Sequence, residues 1–229
     1  MLTPIRCWLL LLIVAGCSGA NAFTTPQNVL TDPESRTKPK RVFLVDVETS
    51  KGKIVMEIHP EWAPIGARRF RELVQDGFYD ECRFFRTVPG FVVQTGMNGD
   101  PLVQAQWKNK KLRDDPVLQS NKRGYVTFAT SGTDSRTTQF FINLAHNAQL
   151  DKMGFAPIGV VVEGLDVVEK LEQKYGEEAD QQLITSKGNE YLTANFPEMD
   201  YIVTAKLRAS QESDSESVTA KADIDGAVQ

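Results

Sequence analysis

Alternating apolar and polar residues predict three β-strands, two near residues 41–59 and one near residues 201–207. Residues Arg41 to Thr49 and Lys53 to His59 alternate with a period of two, and Ser50 to Gly52 separates them. This period is typical of strands that bury one face, and the short polar break between them predicts a hairpin. A third alternating segment, Tyr201 to Leu207, predicts a closing strand.

Two other segments repeat apolar residues at helical spacing. The first begins at Pro64 and stops before Gly77, as expected for a helix with proline in its first turn and glycine after its end. Its apolar face comprises Ala67, Phe70, Leu73 and Val74. The second runs from about Leu165 to Tyr175 and is predicted to end at Gly176, with Val168 and Leu171 facing inward.

The run from Phe84 to Gly96 also alternates as a strand does, but it mixes aromatic, aliphatic and polar residues. Successive side chains of a strand point to opposite sides of the sheet. Val92 and Gln94 are therefore predicted to share one face, and Phe91 and Val93 the other.

Arg86 and Gln94 are polar residues of this run that lie on either side of a Pro89-Gly90 bend. A guanidinium keeps its charge and donates strong hydrogen bonds in an apolar environment, so it is suited to polarising a ligand rather than to moving protons. The run predicts a shallow hydrophobic pocket with two hydrogen-bonding side chains at its rim, which a proline ring and its amide would fit. The alternative is an arginine that only packs its stem against apolar neighbours. The downstream run Gln139 to Ile142 favours the pocket.

The spacing Phe-x-Arg-x-x-Pro-Gly-Phe-x-x-Gln-x-Gly, followed by Gln-Phe-Phe-Ile, resembles the cyclophilin-type peptidyl-prolyl cis-trans isomerases. The resemblance extends from about Val42 to about Ala209, and it includes the segments 121–129, 135–141 and 150–159, of which the last two are most similar to the bacterial-type branch. It implies a mainly β fold, namely a closed eight-stranded antiparallel barrel capped by two α-helices.

The resemblance assigns Arg86 as the catalytic residue. The substrate-binding residues that it implies are Phe91, Val92, Gln94, Ala129, Thr130, Gln139, Phe141, Leu150 and Phe155. Among them, Gln94 corresponds to the glutamine that holds the substrate backbone, and Gln139 to a polar residue that buttresses the site. Ala129 and Thr130 fall where the family offers a strand edge to the peptide.

Three positions depart from the best-known eukaryotic members. Val92 replaces a usual methionine, Gln149 a tryptophan found in many members, and Phe155 a histidine found in many members. In the family the tryptophan supports tight binding of cyclosporin. We therefore expect weakened cyclosporin binding with isomerase activity retained.

The activity implied by the resemblance needs no cofactor and no covalent step. Rotation about an X-Pro bond is slow because it breaks amide resonance. A donor such as Arg86 would bind the pyramidal prolyl nitrogen of the transition state better than the planar ground state. The expected partners are proline-containing polypeptides and unfolded client proteins, bound by a monomer. The alternative function is a module that binds proline-containing segments without turnover. Another residue at position 86 would favour that alternative, whereas the arginine present there favours the enzyme.

Other chemistries find little support in the sequence. Neither His59 nor His146 has another histidine or a cysteine pair at metal-ligand spacing, so we expect no metal site and no histidine-based triad. Asp114-Asp115 precedes a proline and predicts a turn rather than a catalytic pair. The basic residues at 108–111 are followed closely by these acids, which favours a solvated loop over a nucleic-acid interface.

The first forty residues read as a leader and a linker. Residues 1–22 combine Arg6, an apolar run from Cys7 to Cys17 and small residues at 20–22, which predicts a signal peptide. Residues 23–40 are polar and contain three prolines, which predicts a linker or a transit-like segment.

Three destinations remain open for such a leader. A plain signal peptide implies secretion or an endomembrane lumen. Ala22-Phe23 resembles the junction of bipartite leaders that direct proteins into plastids of secondary origin. Residues Val14 to Cys17 resemble a bacterial lipobox, which would leave a lipid on Cys17.

Charge and cysteine content complete the division of the chain. The 229 residues carry a net charge of −4, which equals the net charge of the segment from Ala209 to the end, so the rest of the chain has no net charge. Residues 210–229 are acidic, lack aromatic residues and are predicted to be a disordered tail. Cleavage after Ala22 would leave Cys82 as the single cysteine, for which we favour a buried position.

Overall fold

The computed structural model describes residues 41–209. The predicted signal peptide, linker and acidic tail, at 1–22, 23–40 and 210–229, lie outside the described residues. Within residues 41–209, no helix has both the length and the apolar character needed to cross a membrane.

The described residues form a single sheet of eight antiparallel strands, which confirms the prediction of a mainly β fold. The strands are β1 (Phe43–Thr49), β2 (Gly52–Ile58), β3 (Arg86–Val88), β4 (Val92–Thr95), β5 (Tyr125–Phe128), β6 (Phe140–Asn143), β7 (Pro157–Glu163) and β8 (Ile202–Leu207). Their order in the sheet is β3-β4-β6-β5-β7-β2-β1-β8. The predicted hairpin is present as β1 and β2, which pair from Phe43 with Ile58 to Thr49 with Gly52.

The two ends of this sheet are joined just before β3 and just before β8. Arg83 forms an isolated antiparallel bridge with Tyr201. On either side of it, the Phe84 amide donates to the Asp200 carbonyl at 2.9 Å, and the Ile202 amide donates to the Cys82 carbonyl at 2.9 Å. The sheet therefore curls into the predicted barrel, and a short bridge rather than a ladder joins its ends.

The inside of the barrel is filled by one face of each strand. Val93 on β4 is paired with Ile142 on β6, which in turn is paired with Val126 on β5, and all three side chains are fully buried. Aromatic rings pack between this row and the first helix, since the Phe70 ring meets the Phe140 ring edge to face at 5.3 Å between centroids. Tyr79 contacts the same ring at 5.1 Å. Such edge-to-face contacts are favourable beyond the area that they bury.

Helix α1 (Pro64–Gln75) confirms the helix predicted from Pro64 to Gly77. It ends in a glycine-based cap, because Gly77 has a φ of 65° and its amide donates to the Val74 carbonyl while the Phe78 amide donates to the Leu73 carbonyl. This double pattern satisfies carbonyls that a helix end would otherwise leave unpaired. The apolar face predicted for this helix is buried.

The amino-terminal end of α1 is capped by a residue from a distant loop. The Asp115 carboxylate accepts hydrogen bonds from the Ile65 amide at 2.9 Å and the Gly66 amide at 2.8 Å. Arg136 donates to the same carboxylate at 3.0 Å, and both charged side chains are almost fully buried. Gly66 permits this approach, because a Cβ there would lie 3.2 Å from an Arg136 nitrogen and 2.8 Å from Ile158. The sequence predicted a turn at Asp114-Asp115, but the chain forms no turn there, and Asp115 is instead held in a buried ion pair.

The second predicted helix is shorter than expected. Helix α4 (Leu165–Glu169) ends well before the predicted stop at Gly176. The reason is tertiary, because the Glu172 amide donates to the Asp200 carboxylate at 2.7 Å instead of continuing the helix. The inward positions Val168 and Leu171 are nevertheless buried.

The prediction of two helices was also too low for the described part of the chain, which contains six. The additional helices are α2 (Pro101–Trp107), α3 (Gln149–Lys152), α5 (Gln181–Lys187) and α6 (Asn189–Asn195). Each has seven residues or fewer, so helical periodicity had too little length to reveal it.

Cys82 is fully buried, as favoured from the sequence. Its thiol lies 3.4 Å from the Phe78 carbonyl. Burial raises the pKa of the Cys82 thiol well above its usual value, because the thiolate would have to leave water.

Replacing Asp115 by asparagine should destabilise the domain strongly. The change removes the charge that pairs with buried Arg136 and weakens the cap of α1, and breaking a buried ion pair costs about 3–5 kcal/mol. Urea unfolding measures the loss. Asp114→Asn is the matched control, because the Asp114 side chain is 34% exposed and also contacts Arg136. Equal losses in the two variants would contradict the central role of Asp115.

Asp46 should make stability depend on pH at acidic values. A hydrogen bond from Arg208 holds the pKa of Asp46 down at about 2, with Lys53 assisting at 3.0 Å. Because the folded-state pKa is lowered, this stabilisation is complete above the unfolded value near 4 and is lost as the pH falls through about 2. Asp46→Asn should therefore cost on the order of 1–2 kcal/mol at pH 7 and almost nothing at pH 2 in urea unfolding. Glu48→Gln, an exposed carboxylate of the same strand, is the control; a cost that did not change with pH would contradict the prediction.

Candidate functional site

A tight turn between β3 and β4 brings the first site residues together. The Phe91 amide donates to the Val88 carbonyl at 3.0 Å, which closes a turn with Pro89 and Gly90 at its centre. Gly90 has a φ of 69°, a conformation that a type II turn requires and that glycine adopts without strain. The bend predicted from Pro89-Gly90 is therefore present, and it folds β3 back onto β4.

The strand register places the polar and apolar site residues in one row. Arg86 on β3 lies directly opposite Gln94 on β4, and Gln94 lies directly opposite Phe141 on β6. Side chains of directly paired residues emerge on the same side of a sheet. The neighbouring row, which contains Val93, faces the barrel core. The row from Arg86 to Phe141 consequently lies on the opposite, outer face.

An open cavity of about 240 Å³ lies over this row. Its lining residues are Arg86, Phe91, Val92, Gln94, Ala129, Thr130, Phe141, Leu150, Met153 and Phe155. Val92, Phe141 and Leu150 form a buried apolar floor that is separate from the barrel core. The Phe155 ring packs edge to face on Phe141 at 5.7 Å between centroids and forms part of the wall.

Arg86 lies at the rim of this cavity with its side chain 26% exposed. Its Nη1 donates to Gln94 Oε1 at 3.2 Å, and its Nε donates to Glu177 Oε1 at 2.5 Å. The guanidinium carbon also lies 5.6 Å from the centre of the Phe91 ring, a cation–π distance. The guanidinium is thus held on two edges, which leaves further N–H groups for a ligand.

Gln139 lies beside the cavity rather than in its lining. Gln94 Nε2 donates to Gln139 Oε1 at 2.8 Å, so Gln139 restrains the glutamine that contacts Arg86. Gln139 also borders a second, more polar cavity of about 360 Å³, which shares the lining residues Gln94, Ala129 and Thr130 with the first. Lysines 108 and 111 lie at the edge of this second cavity.

The side of the cavity lined by Leu150 and Phe155 is held in place by a buried asparagine. Asn121 donates to the Asp151 carboxylate from its amide and its side chain, each at 2.8 Å, and to the Phe155 carbonyl at 2.9 Å. Burial raises the pKa of Asp151, but hydrogen bonds from Ser120 and Asn121 outweigh it and hold the pKa below its usual value. A charged Asp151 therefore fixes α3 against the loop before β5.

Nine of the ten residues proposed from the sequence surround one cavity, and the tenth, Gln139, touches it through Gln94. One detail of the sequence prediction was wrong. Phe91 belongs to the turn rather than to β4, so strand alternation does not place it with Val93, and it lines the cavity instead. Sequence reasoning missed Met153, because one exposed methionine on no periodic face carries no signal.

Other candidate chemistries do not assemble in the described residues. No group of three or more histidine, cysteine or acidic side chains is arranged to hold a metal ion in residues 41–209. His59 lies between Glu57 and Glu61. His146 approaches Ser120, but it is the serine that contacts Asp151, so the order of a catalytic triad is not formed.

The chain is similar to proteins of one family. Residues 44–189 match the family model described as cyclophilin type peptidyl-prolyl cis-trans isomerase/CLD. The chain is 40% identical over 131 residues to peptidyl-prolyl cis-trans isomerase A of Dickeya dadantii, which covers 55% of this chain and 68% of the relative. It is 35% identical over 133 residues to a peptidyl-prolyl cis-trans isomerase of Acinetobacter baylyi, which covers 56% of this chain and 71% of the relative.

A solved structure shows that the fold is shared. The cyclophilin type isomerase of Cryptosporidium parvum, crystallised in the presence of the dipeptide Ala-Pro, superimposes with a TM-score of 0.53 at 18% identity and covers 72% of this chain and 99% of its own. The family match spans most of the described residues, and the shared fold agrees with it. The chain belongs to the cyclophilin family and is a peptidyl-prolyl cis-trans isomerase.

Proposed function

We propose that Arg86 accelerates X-Pro rotation by donating a hydrogen bond to the prolyl nitrogen in the transition state. The observation that carries this proposal is the position of its guanidinium, which is held by Gln94 at the rim of an apolar cavity. Rotation has a barrier of roughly 18–20 kcal/mol because the planar amide must lose its resonance. Midway, the nitrogen becomes pyramidal and exposes a lone pair, which a fixed donor binds better than it binds the planar amide.

The cavity floor supplies the complementary half of this mechanism. The pyrrolidine ring of the substrate would rest on Val92, Phe141 and Leu150, a dry surface that anchors the ring while the preceding residue rotates. Because the surround is apolar, the field of the guanidinium is screened less than it would be in water. A donor oriented before the reaction also avoids the cost of reorganising during it.

The substrate backbone would be held on either side of the ring. Gln94 can contact the peptide from the rim, while the segment after β5 offers main-chain groups. The Ala129 amide already donates to the Gln139 carbonyl at 2.9 Å, so the peptide would use the Ala129 carbonyl and Thr130. A main-chain contact of this type depends little on substrate sequence, which suits an enzyme with many clients.

We propose that the protein acts as a monomer on unfolded chains after export. An unfolded chain populates both X-Pro isomers, and their interconversion is among the slowest folding steps. The predicted signal peptide at residues 1–22 supports a secretory compartment, with a plastid and a lipid anchor at Cys17 as the other destinations to be tested. Assignment to the bacterial-type branch likewise stays a prediction.

Replacing Arg86 by alanine should lower kcat/KM for an Ala-Pro peptide about 100-fold, the usual order for loss of one preorganised donor. Peptide affinity should fall much less, because the apolar floor remains. NMR exchange between the cis and trans peptide measures the rate, and a titration measures the affinity. A thermal melt checks that each variant is folded.

Arg123→Ala is the matched control for the loss of an arginine. Arg123 is about half exposed and contacts Glu169 rather than the cavity. This variant should keep the wild-type rate. An Arg86→Ala protein that is folded and fully active would rule out the donor mechanism.

Replacing Gln149 by tryptophan should tighten cyclosporin binding at least about tenfold, which corresponds to 1.4 kcal/mol. Gln149 is exposed at the start of α3, next to Leu150 in the cavity floor, and an indole there would add apolar contact area. Inhibition of the isomerase rate measures the effect, with Lys206→Trp as an exposed control outside the cavity lining. Nanomolar inhibition of the wild type would contradict the proposed weakening.

A further inference from the structure

The segment from Tyr175 to Gln181 is linked to the proposed catalytic arginine by one direct contact and by one chain of hydrogen bonds. On one side, the Glu177 carboxylate accepts directly from Arg86 Nε at 2.5 Å. On the other side, Gln181 Oε1 accepts from Gln139 Nε2 at 3.2 Å, and Gln139 in turn accepts from Gln94 at 2.8 Å. Gln94 accepts from Arg86 Nη1, so the contacts form one continuous chain that begins and ends on this segment.

The segment is itself firmly attached to the strand that carries Arg86. The Thr87 amide on β3 donates to the Gly176 carbonyl at 2.9 Å, and this bond sets Glu177 beside the arginine. The other end is attached to α5, because the Asp180 carboxylate accepts from the Gln182 and Leu183 amides at 2.7 and 3.1 Å. The backbone on both sides of Glu177 is therefore held in place.

Helices α5 and α6 fasten the segment to the barrel. Ile184 of α5 and Leu192 of α6 are fully buried in a small apolar cluster. The same cluster includes Phe85, which precedes Arg86, and Met97, which follows β4. The two helices therefore pack directly on the chain that presents the arginine, and they form a support separate from the barrel core.

We propose that Glu177 and Gln181 are positioning residues that hold the Arg86 guanidinium in the orientation needed for donation to the prolyl nitrogen. This inference rests on the proposed role of Arg86. An arginine side chain has many rotamers, and fixing it before the substrate binds removes an entropic cost from the reaction. Glu177 takes up the Nε–H and Gln94 one N–H of Nη1, so the remaining N–H groups point in a defined direction.

The ion pair between Glu177 and Arg86 has little value for stability. The Glu177 side chain is 60% exposed, and exposed pairs contribute little to folding. A carboxylate close to the arginine also reduces the positive potential that a substrate would meet. Positioning and charge neutralisation therefore predict opposite effects on the rate when Glu177 is removed.

Substitution of Glu177 and Gln181 in the full chain distinguishes the two roles. Glu177→Ala should lower kcat/KM about tenfold, mainly through kcat, while Glu177→Gln should stay within about threefold of wild type because it keeps an acceptor. Gln181→Ala should lower kcat/KM about threefold. The matched controls are Glu178→Ala and Gln182→Ala, exposed neighbours of the same residue types, which should behave as wild type.

A second measurement does not depend on activity. The Arg86 Nε–H resonance, followed by NMR, should show slow solvent exchange in the wild type and fast exchange in Glu177→Ala, with the same melting temperature in both. In an Arg86→Lys background, Glu177→Ala should lose most of its effect on the rate, because the two residues act together.

The possible outcomes separate this inference from the proposed function. Unchanged exchange at Arg86 in Glu177→Ala, or a faster enzyme in both Glu177 variants, would overturn the positioning role. Loss of Arg86 order with no change in rate would also overturn it, and if Arg86→Ala were then fully active, the proposed function would fail with it. A slower enzyme with a disordered Arg86 and normal stability supports the positioning role.

Discussion

The register of β3, β4 and β6 is the constraint on which the site depends. Side chains alternate across a sheet with a period of two, so a shift of one residue would exchange the core face and the outer face. In the observed register, Val93 and Ile142 point into the barrel, while Phe141 lies in the floor of the cavity and Gln94 at its rim. The same pairing that buries the core therefore assembles the site.

Contacts outside the three strands hold the neighbouring elements in place. The turn at Pro89 and Gly90 sets β3 against β4, and the buried pair of Asp115 and Arg136 fixes α1 on the barrel. A charged pair of this type is tolerated in the interior because amides at the start of α1 donate hydrogen bonds to the carboxylate oxygens of Asp115. Asn121 holds one side of the cavity in place, because its side chain donates hydrogen bonds to Asp151 and to the Phe155 carbonyl.

The chemistry of the site is consistent with the reaction that the family catalyses. No bond to carbon is made or broken in X-Pro rotation, so the enzyme needs a shaped apolar surface and one well-oriented donor rather than an acid, a base or a metal. Here the support of Arg86 comes from the segment at 175–181 and from two short helices that pack behind it.

The sequence by itself determined the strands of the hairpin, helix α1 and the group of residues around the cavity. Alternation along a strand is a local signal, and so are the proline that begins α1 and the glycine that follows its end. The spacing of the motifs indicated the family by resemblance. The tertiary structure decided the early end of α4, which depends on Asp200, the buried role of Asp115, and the contact of Glu177 with Arg86, 91 residues apart. These features depend on where the folded backbone brings distant polar groups together, and no local period of the sequence encodes such a meeting.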